Sequence, residues 1–433
     1  MRTVGFRTLG CKLNQAETAI LAGMFVQKGY ELVPAEDSPD VVLIHTCTVT
    51  ARTDAKCRQF IHRVLKENPS CTVIVAGCYA QIGAEEIAKI PGVDYIVGTE
   101  DKFRLFDFFP GPGKRSQPLI RVSPIQGNFA FSSPVFPFET HTRAFLKIQS
   151  GCNRQCAYCI VPMARGPGRS EPMECILKNA ELFVQKGYKE LVITGTHIGD
   201  YGKDFGKTSL LAQLLRELLK IKGIGRIRLS SLDPDEVTDE LLDVIAREER
   251  ICRHFHLSLQ SGSDAILHAM KRSYTTKEVE NLIEKLVTRF GILGLGADFI
   301  TGFPGETDTL FEETVRFVEK LPFTYLHVFP FSVRKGTLAE KLPNGVPPSI
   351  RMERAKVLRE LGLQKKKAFA SQFLGKTVSA LFEAKEKNHW MYGLTPEYLR
   401  VEVPSHPSLR NQILDVKVKE ISKNGVRGSV VNL

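Results

Sequence analysis

Ten cysteines stand in the 433 residues of the chain, and six of them are placed where their thiolates can meet. Cys152, Cys156 and Cys159 form a C-x3-C-x2-C triplet in the run Gly151-Cys152-Asn153-Arg154-Gln155-Cys156-Ala157-Tyr158-Cys159. Three thiolates on one short loop can converge on a single metal object. A structural zinc site wants a fourth Cys or His a few residues away, and none follows before His197. The triplet is complete for a cubane 4Fe–4S cluster that takes three cysteines and leaves one iron open, unlike the four-cysteine ferredoxin arrangement. Three incidental core cysteines would not account for Gly151, Asn153, Arg154 and Gln155 around them.

Cys11, Cys47 and Cys78 lie 36 and 31 residues apart, yet each follows an expected strand: Thr3–Phe6, Val41–Ile44 and Val73–Ala76. In a parallel sheet those positions share the carboxyl edge, where ligands bind. A second three-cysteine cluster with an open iron is the reading, with buried structural cysteines or a zinc site as alternatives. Cys71 starts the strand that Cys78 follows, which puts it at the opposite edge and out of the ligand set. Cys57, Cys175 and Cys252 stand in helix-like or turn segments without partners and read as small hydrophobes.

The elements that must hold these residues alternate as βαβ units. In the first third, strand runs alternate with a helix from about Ala16 and another through Cys57–Leu65, which predicts a parallel sheet with helices on both faces. Residues 108–138, rich in Pro, Gly, Ser and Phe, read as a linker or a loop lying on the next domain. Strands are then expected at Phe145–Ile148, Leu191–Thr194, Arg226–Ser230, His256–Leu259, Gly296–Ile300 and Tyr325–Phe329, a partial barrel with its chemistry at the carboxyl ends. Ile350–Phe373 reads as an amphipathic helix with Met352, Ala355, Leu358 and Leu361 on one face. Thr377–Phe382, Leu399–Val403, Ile413–Val418 and, after an Asn424-Gly425 turn, Val426–Val431 predict a small antiparallel β-barrel, a shape that often binds oligonucleotides. The expected division is 1–137, 138–370 and 371–433, and the fold class is α/β.

Residues 351–433 carry 16 Lys and Arg against 8 Asp and Glu, while the rest of the chain is close to balance. A polyanion such as nucleic acid is the natural partner for that end. No run approaches the ~18 apolar residues of a membrane span. Met1–Phe6 leads directly to Arg7, Cys11 and Lys12 rather than to an apolar stretch. A cytoplasmic protein with reduced cysteines and no membrane contact is therefore expected.

With Tyr158 before its last cysteine, the triplet looks like the motif of the radical S-adenosylmethionine (SAM) superfamily, and the barrel agrees with that superfamily's fold. Adding Thr8-Leu9-Gly10-Cys11-Lys12-Leu13-Asn14, Thr46-Cys47-Thr48-Val49 and Gly77-Cys78-Tyr79-Ala80-Gln81, the chain resembles the methylthiotransferases over nearly its whole length. The resemblance implies two 4Fe–4S clusters and a C-terminal RNA-binding barrel of the TRAM kind. One SAM bound at the open iron of the second triplet would be cleaved to a 5′-deoxyadenosyl radical, and another would donate a methyl group, while the N-terminal cluster handles sulfur. An adenine C–H bond has no acidity at neutral pH, so a radical route suits the substrate, and no paired carboxylates or Ser-His-Asp set demand a role. By the same resemblance Tyr158, His197 and Gln260 contact SAM, although His197, in Thr194–Gly202, reads equally as a loop histidine. Asp298 and Phe303–Glu306 close the fifth barrel strand, and Glu306 reads as a cap of the next helix.

Two further patterns carry nothing. Gly202–Thr208 has three residues between its glycines where a phosphate-binding loop needs four. Gly294-Leu295-Gly296 lacks the third glycine of a dinucleotide fingerprint and reads as a turn into the strand.

The family divides among tRNA adenosines carrying an isopentenyl group, tRNA adenosines carrying a threonylcarbamoyl group, and an aspartate of a ribosomal protein. Leu9–Asn14 followed by Gln15-Ala16-Glu17-Thr18, and Thr196-His197-Ile198-Gly199, resemble the threonylcarbamoyl group most. The implied reaction places a methylthio group on carbon 2 of that adenosine at tRNA position 37. The implied partners are the tRNA and a low-potential donor such as flavodoxin or ferredoxin, and the chain is expected to be a monomer. The other two substrates, or a zinc-dependent nucleic-acid-binding protein, are the alternatives. The adenosine would be chosen near Asn14 and the Thr196–Gly199 loop, with the basic end supplying phosphate contacts.

Overall fold

A computed structural model describes residues 2–125, 142–206 and 208–431. The N-terminal strands are β1 (Arg2–Thr8), β2 (Tyr30–Leu32), β3 (Val41–Thr46), β4 (Thr72–Gly77), β5 (Tyr95–Val97) and β6 (Leu119–Arg121), in the order β2-β1-β3-β4-β5-β6. All five pairings are parallel. β3 and β4 are buried at every residue, as central strands covered on both faces must be. Leu21, Phe25, Leu105 and Phe109 cover one face and Cys57, Ile61, Val64 and Ile87 the other.

The helix Lys12–Gln27 begins four residues before the expected Ala16. Leu21 and Phe25 face its own sheet, whereas Ala19 and Ile20 join the core of the following barrel. A helix wrapped on two sides loses the one-sided pattern by which a surface helix is recognised. Nor is the segment after residue 108 simply a linker, because Leu119–Arg121 returns as the edge strand β6 beside β5. The remainder of that expectation, from 126 on, lies outside the described residues.

The central strands are β7 (Arg143–Lys147), β8 (Gln149–Ser150), β9 (Arg169–Ser170), β10 (Glu190–Thr194), β11 (Arg226–Leu229), β12 (His254–Gln260), β13 (Gly294–Thr301) and β14 (Tyr325–Pro330). β7-β10-β11 and β12-β13-β14 form two parallel sheets, bridged by Ile227 with Ile251 and Leu232 with Leu257. Spatial order thus follows chain order. Among the described residues no pairing joins β14 to β7, so the barrel is partial and open at that edge. Gly294 and Gly296 are the first and third residues of β13 rather than a turn before it.

A helix over Pro348–Ser371 leads out of the barrel, with Ala355 and Leu358 buried and Leu361 packed at the core's edge. Met352 departs from the expected face and is 51% exposed. The buried position one turn before Leu358 is taken instead by Arg354, which pairs with Glu306 and Asp308 at 2.7 Å each. The last strands, β15 (Thr377–Lys387), β16 (Trp390–Leu394), β17 (Arg400–Pro404), β18 (Ile413–Ile421) and β19 (Val426–Val430), close a barrel in the order β15-β16-β17-β19-β18. It is not wholly antiparallel: β17 and β19 pair in parallel through Val401 with Val426. This barrel docks on the central one, where Arg228 reaches the carbonyls of Thr395 and Pro396 at 2.9 Å and Arg226 that of Leu394 at 3.0 Å.

Candidate metal centres

Cys11 follows β1, Cys47 follows β3 and Cys78 opens the short helix after β4, so parallel pairing brings all three to one edge. Gly10 makes the close approach possible. Its φ is +113°, and a Cβ there would stand 2.4 Å from the Cys47 Cβ. Asn14 ties the loops by donating to the Leu9 carbonyl at 2.8 Å and the Thr46 carbonyl at 3.0 Å. Thr46 in turn donates to the Ala76 carbonyl at 2.7 Å. Cys11 stands at the N-terminal cap of the sixteen-residue helix Lys12–Gln27. Burial pushes the Cys47 thiol up to about 12, and the neighbouring Cys11 and Cys78 sulfurs push it the same way.

The second triplet occupies the loop after β8. A Cβ at Gly151, whose φ is +78°, would lie 1.9 Å from the Pro167 carbonyl, so the loop is folded tightly onto the strand that follows it. Cys159 donates its N–H to the Cys156 carbonyl at 3.0 Å. Two donors reach the sulfurs: the Arg154 N–H to Cys152 Sγ at 3.4 Å and Arg272 Nη1 to Cys156 Sγ at 3.1 Å. Ala157, Ile266, Met270, Phe303 and Phe331 make a dry wall, against which Tyr158 packs. Burial pushes the Cys159 thiol up to about 12. Cys47 and Cys159, whose thiols burial raises, need a cationic partner to ionise, and iron supplies one, so the donor set at each triplet fits an iron–sulfur cluster.

Between the triplets lies a buried knot of charge. Glu17 receives two bonds from Arg165 at 2.9 Å, one from Lys102 at 2.7 Å, and pairs with Lys147 at 3.3 Å. Burial alone would raise its carboxyl, but the three cations outweigh it and hold the group well below the usual range. His45, beside them, is kept neutral by burial and by Lys102. Lys102 donates to its Nε2 at 3.2 Å, which leaves the proton on Nδ1, 3.1 Å from the Asn14 carbonyl. Arg165 also donates to the Asn14 side-chain oxygen at 2.7 Å.

The single residues sort differently. His197 is held by Asp200 at 2.8 Å, Glu236 at 2.9 Å and Asp233 at 3.2 Å. Burial opposes its charge, yet the three carboxylates outweigh it and raise the imidazole to about 12, so the ring is a captive cation rather than a loop histidine in water. Gln260 ends β12 at a register shift with φ +69°, a costly conformation for a non-glycine residue and one that clusters at functional sites. Asp298 bonds His256 at 2.9 Å and His327 at 3.3 Å. Glu306 caps nothing: Thr307 caps the next helix, and Glu306 accepts from the Gly302 N–H and Arg354. Asn14 is fully buried with its amide spent on the loops, so it does not face a substrate. Cys71 sits at the start of β4, away from the Cys78 edge.

Sequence reasoning missed Arg165, Lys102, Lys147, Arg272 and Gln149. Gln149 accepts from the Thr196 and His197 N–H groups at 3.1 and 2.9 Å and donates to the Gly151 carbonyl at 2.7 Å, clamping the two loops together. The only available signal was the position of Arg165, six residues beyond Cys159.

Compared with known proteins, the chain matches the Radical SAM superfamily over residues 146–318 and the Uncharacterized protein family UPF0004 over residues 3–98. It is 43% identical to the threonylcarbamoyladenosine tRNA methylthiotransferase MtaB of Aquifex aeolicus, over 87% of this chain and 92% of the relative. It is 39% identical to the protein of the same name from Bacillus subtilis, over 96% and 94%. Against the tRNA-2-methylthio-N(6)-dimethylallyladenosine synthase of Petrotoga mobilis it is 34% identical, over 98% of each. Among solved structures it is similar in fold to the radical SAM methyltransferase TsrM of Kitasatospora setae, with a TM-score of 0.56 and 17% identity, over 76% of this chain and 73% of that one.

Proposed function

Because this chain belongs to the methylthiotransferase family of radical SAM enzymes, we propose that it acts on tRNA, adding a methylthio group to carbon 2 of threonylcarbamoyladenosine at position 37. Identity of 43% and 39% to relatives named for that substrate, against 34% to the dimethylallyladenosine synthase, supports the substrate choice. The observation that carries the two-centre reading is Arg165: rooted just after the second triplet, it reaches the Asn14 that binds the Cys11 and Cys47 loops together. Cys152, Cys156 and Cys159 would hold one 4Fe–4S cluster and Cys11, Cys47 and Cys78 the other. When bound, clusters and SAM supply a one-electron route to a carbon radical and a held sulfur, which an inert C–H bond requires.

The chain's own residues orient these groups. Arg272 donates to Cys156 and holds Asp233, and Gln149 fixes the Thr196–His197 backbone over the cysteine loop. Tyr158 and Gln260 contact SAM in this reading, and His197 acts through its three carboxylates. A flavodoxin- or ferredoxin-like donor, a monomeric state, a cytoplasmic location and domain limits at 137/138 and 370/371 complete the proposal.

The test is anaerobic reconstitution. About eight irons per chain are expected, falling to about four when either triplet is replaced by Ala, with Cys71→Ala unchanged. Loss of Cys152, Cys156 and Cys159 should abolish reductive SAM cleavage, whereas loss of Cys11, Cys47 and Cys78 should spare cleavage and abolish methylthio product. Iron indifferent to both triple substitutions overturns the two-cluster reading. Product on isopentenyl-adenosine tRNA or a ribosomal protein in preference to threonylcarbamoyl tRNA overturns the substrate.

A further inference from the structure

Where the open edge of the partial barrel meets the C-terminal barrel lies a cavity of about 580 Å³, lined among others by Arg143, Tyr325, His327, Lys366, Tyr392 and Arg400. Its chemistry is one-sided. Arg143, Arg359, Lys366 and Arg400 face a single acid, Glu383, which is 45% exposed and spent on Arg143 at 3.5 Å. Aromatic rings accompany the cations: the Arg400 guanidinium lies 3.9 Å from the centre of the Tyr392 ring, and its buried Nε has no hydrogen-bond partner among the described residues. Behind them the wall is rigid. The Tyr325 hydroxyl is hydrogen-bonded to His254 Nε2 at 2.7 Å and to His256 Nδ1 at 2.9 Å, and His254 stacks on Tyr398 at 4.4 Å. The His327 ring, held by Asp298, is 53% exposed.

The place is as informative as the lining. Arg143 and Tyr325 are the first residues of β7 and β14, whereas the cysteine loop follows the far end of the β7–β8 run. At ~3.3 Å per residue, the strand separates the cavity from Cys152 by more than the width of a nucleobase. An adenosine whose carbon 2 reacts beside the Cys152 loop does not fill it.

A planar group on an Arg–Tyr platform beside lysine and arginine heads is how single-stranded RNA is held, by stacking and phosphate pairing. We propose that this cavity is a second nucleotide subsite, which takes a splayed-out base of the RNA loop other than the reacting adenosine, with its base on Tyr392 and Arg400 and its phosphate on Lys366 and Arg359. The proposal rests on the tRNA reading above. It goes beyond a basic patch, because a stacking pocket reports the presence of a base and phosphate contacts do not.

The test uses the reconstituted full chain and anticodon stem-loop RNA carrying threonylcarbamoyladenosine, with each loop base in turn replaced by an abasic unit. Tyr392→Leu should weaken binding about 10-fold, the scale of one lost base–aromatic stack, while Tyr392→Phe keeps the affinity. The 10-fold penalty should vanish on the RNA abasic at one loop position other than 37. A penalty equal on all RNAs, or one that vanishes only at position 37, overturns the proposal. Should Tyr392→Leu lower the melting temperature, Lys366→Gln on the helix Pro348–Ser371 stands in. It should reduce the slope of log affinity against log salt by ~0.7, one single-strand phosphate contact, and an unchanged slope also overturns the subsite. Failure of the unsubstituted enzyme to bind any stem-loop would refute the tRNA reading instead.

Discussion

Arg165 and Glu17 are joined by two parallel hydrogen bonds of 2.9 Å, and their side chains are 4% and 1% exposed. One side chain comes from the short helix after the second cysteine triplet, the other from the helix that Cys11 caps. This fork, with Lys102 and Lys147 beside it, locks the two centres to each other through charge that water does not reach.

Removing the carboxylate should therefore be severe. Glu17→Gln leaves three buried cations without their counter-charge, a loss of about 3–5 kcal/mol on the scale of broken buried pairs. Differential scanning calorimetry of parent and variant checks it.

The same pair sets an acid limit. The Glu17 carboxyl is depressed in the fold, so its contribution is complete above its unfolded pKa of about 4.3 and is lost as pH falls through the lower folded value. The stability gap between parent and Glu17→Gln should narrow as pH falls below about 4, and the comparison runs from pH 6 downward because burial lowers Lys102 to about 8. A gap that widens below pH 4 would contradict the sign.

Arg272 donates to Cys156 Sγ at 3.1 Å and pairs with Asp233 at 2.6 Å. Hydrogen bonds to cluster sulfurs raise the reduction potential. Arg272→Met should retain the iron of that triplet, lower the potential seen in an EPR-monitored titration, and slow SAM cleavage by about 10–100-fold, as loss of an outer partner does elsewhere.

Gln260 adopts φ +69° at the end of β12. Gln260→Gly should relieve about 1 kcal/mol of backbone strain and raise the melting temperature, while weakening SAM binding measured by equilibrium dialysis. Tighter SAM binding would argue that the side chain makes no contact.

Truncation after Phe369 should weaken tRNA binding, since the residues removed carry 9 Lys and Arg against 6 acids. It should also destabilise the central barrel. Arg228 is fully buried and places two of its bonds on the carbonyls of Thr395 and Pro396, and Phe369 itself belongs to the core of the C-terminal barrel. A melting temperature unchanged by the truncation would contradict this dependence.

The sequence by itself determined the gathering of the cysteines and the order of elements. C-x3-C-x2-C is a local spacing that puts three sulfurs on one loop whatever surrounds it, and a cysteine just past each of three parallel strands must reach a shared edge, because parallel pairing aligns strand ends. What only the tertiary structure decided is which polar groups face each other across elements. Arg165, Lys102 and Lys147 look in sequence like any of the 59 Lys and Arg, nearly all of which could be solvated. Their burial follows from one helix being pressed between two cores, a relation with no periodicity to announce it. His197 likewise sits in a motif near the cysteines, but its ring is committed to Asp200, Asp233 and Glu236, and two of those carboxylates come from another loop more than thirty residues away. The edge strand Leu119–Arg121 and the parallel closure of β17 on β19 were hidden for the same reason. Their hydrogen-bond partners are chosen by the sheet already formed, and three to five residues of chain do not encode that choice.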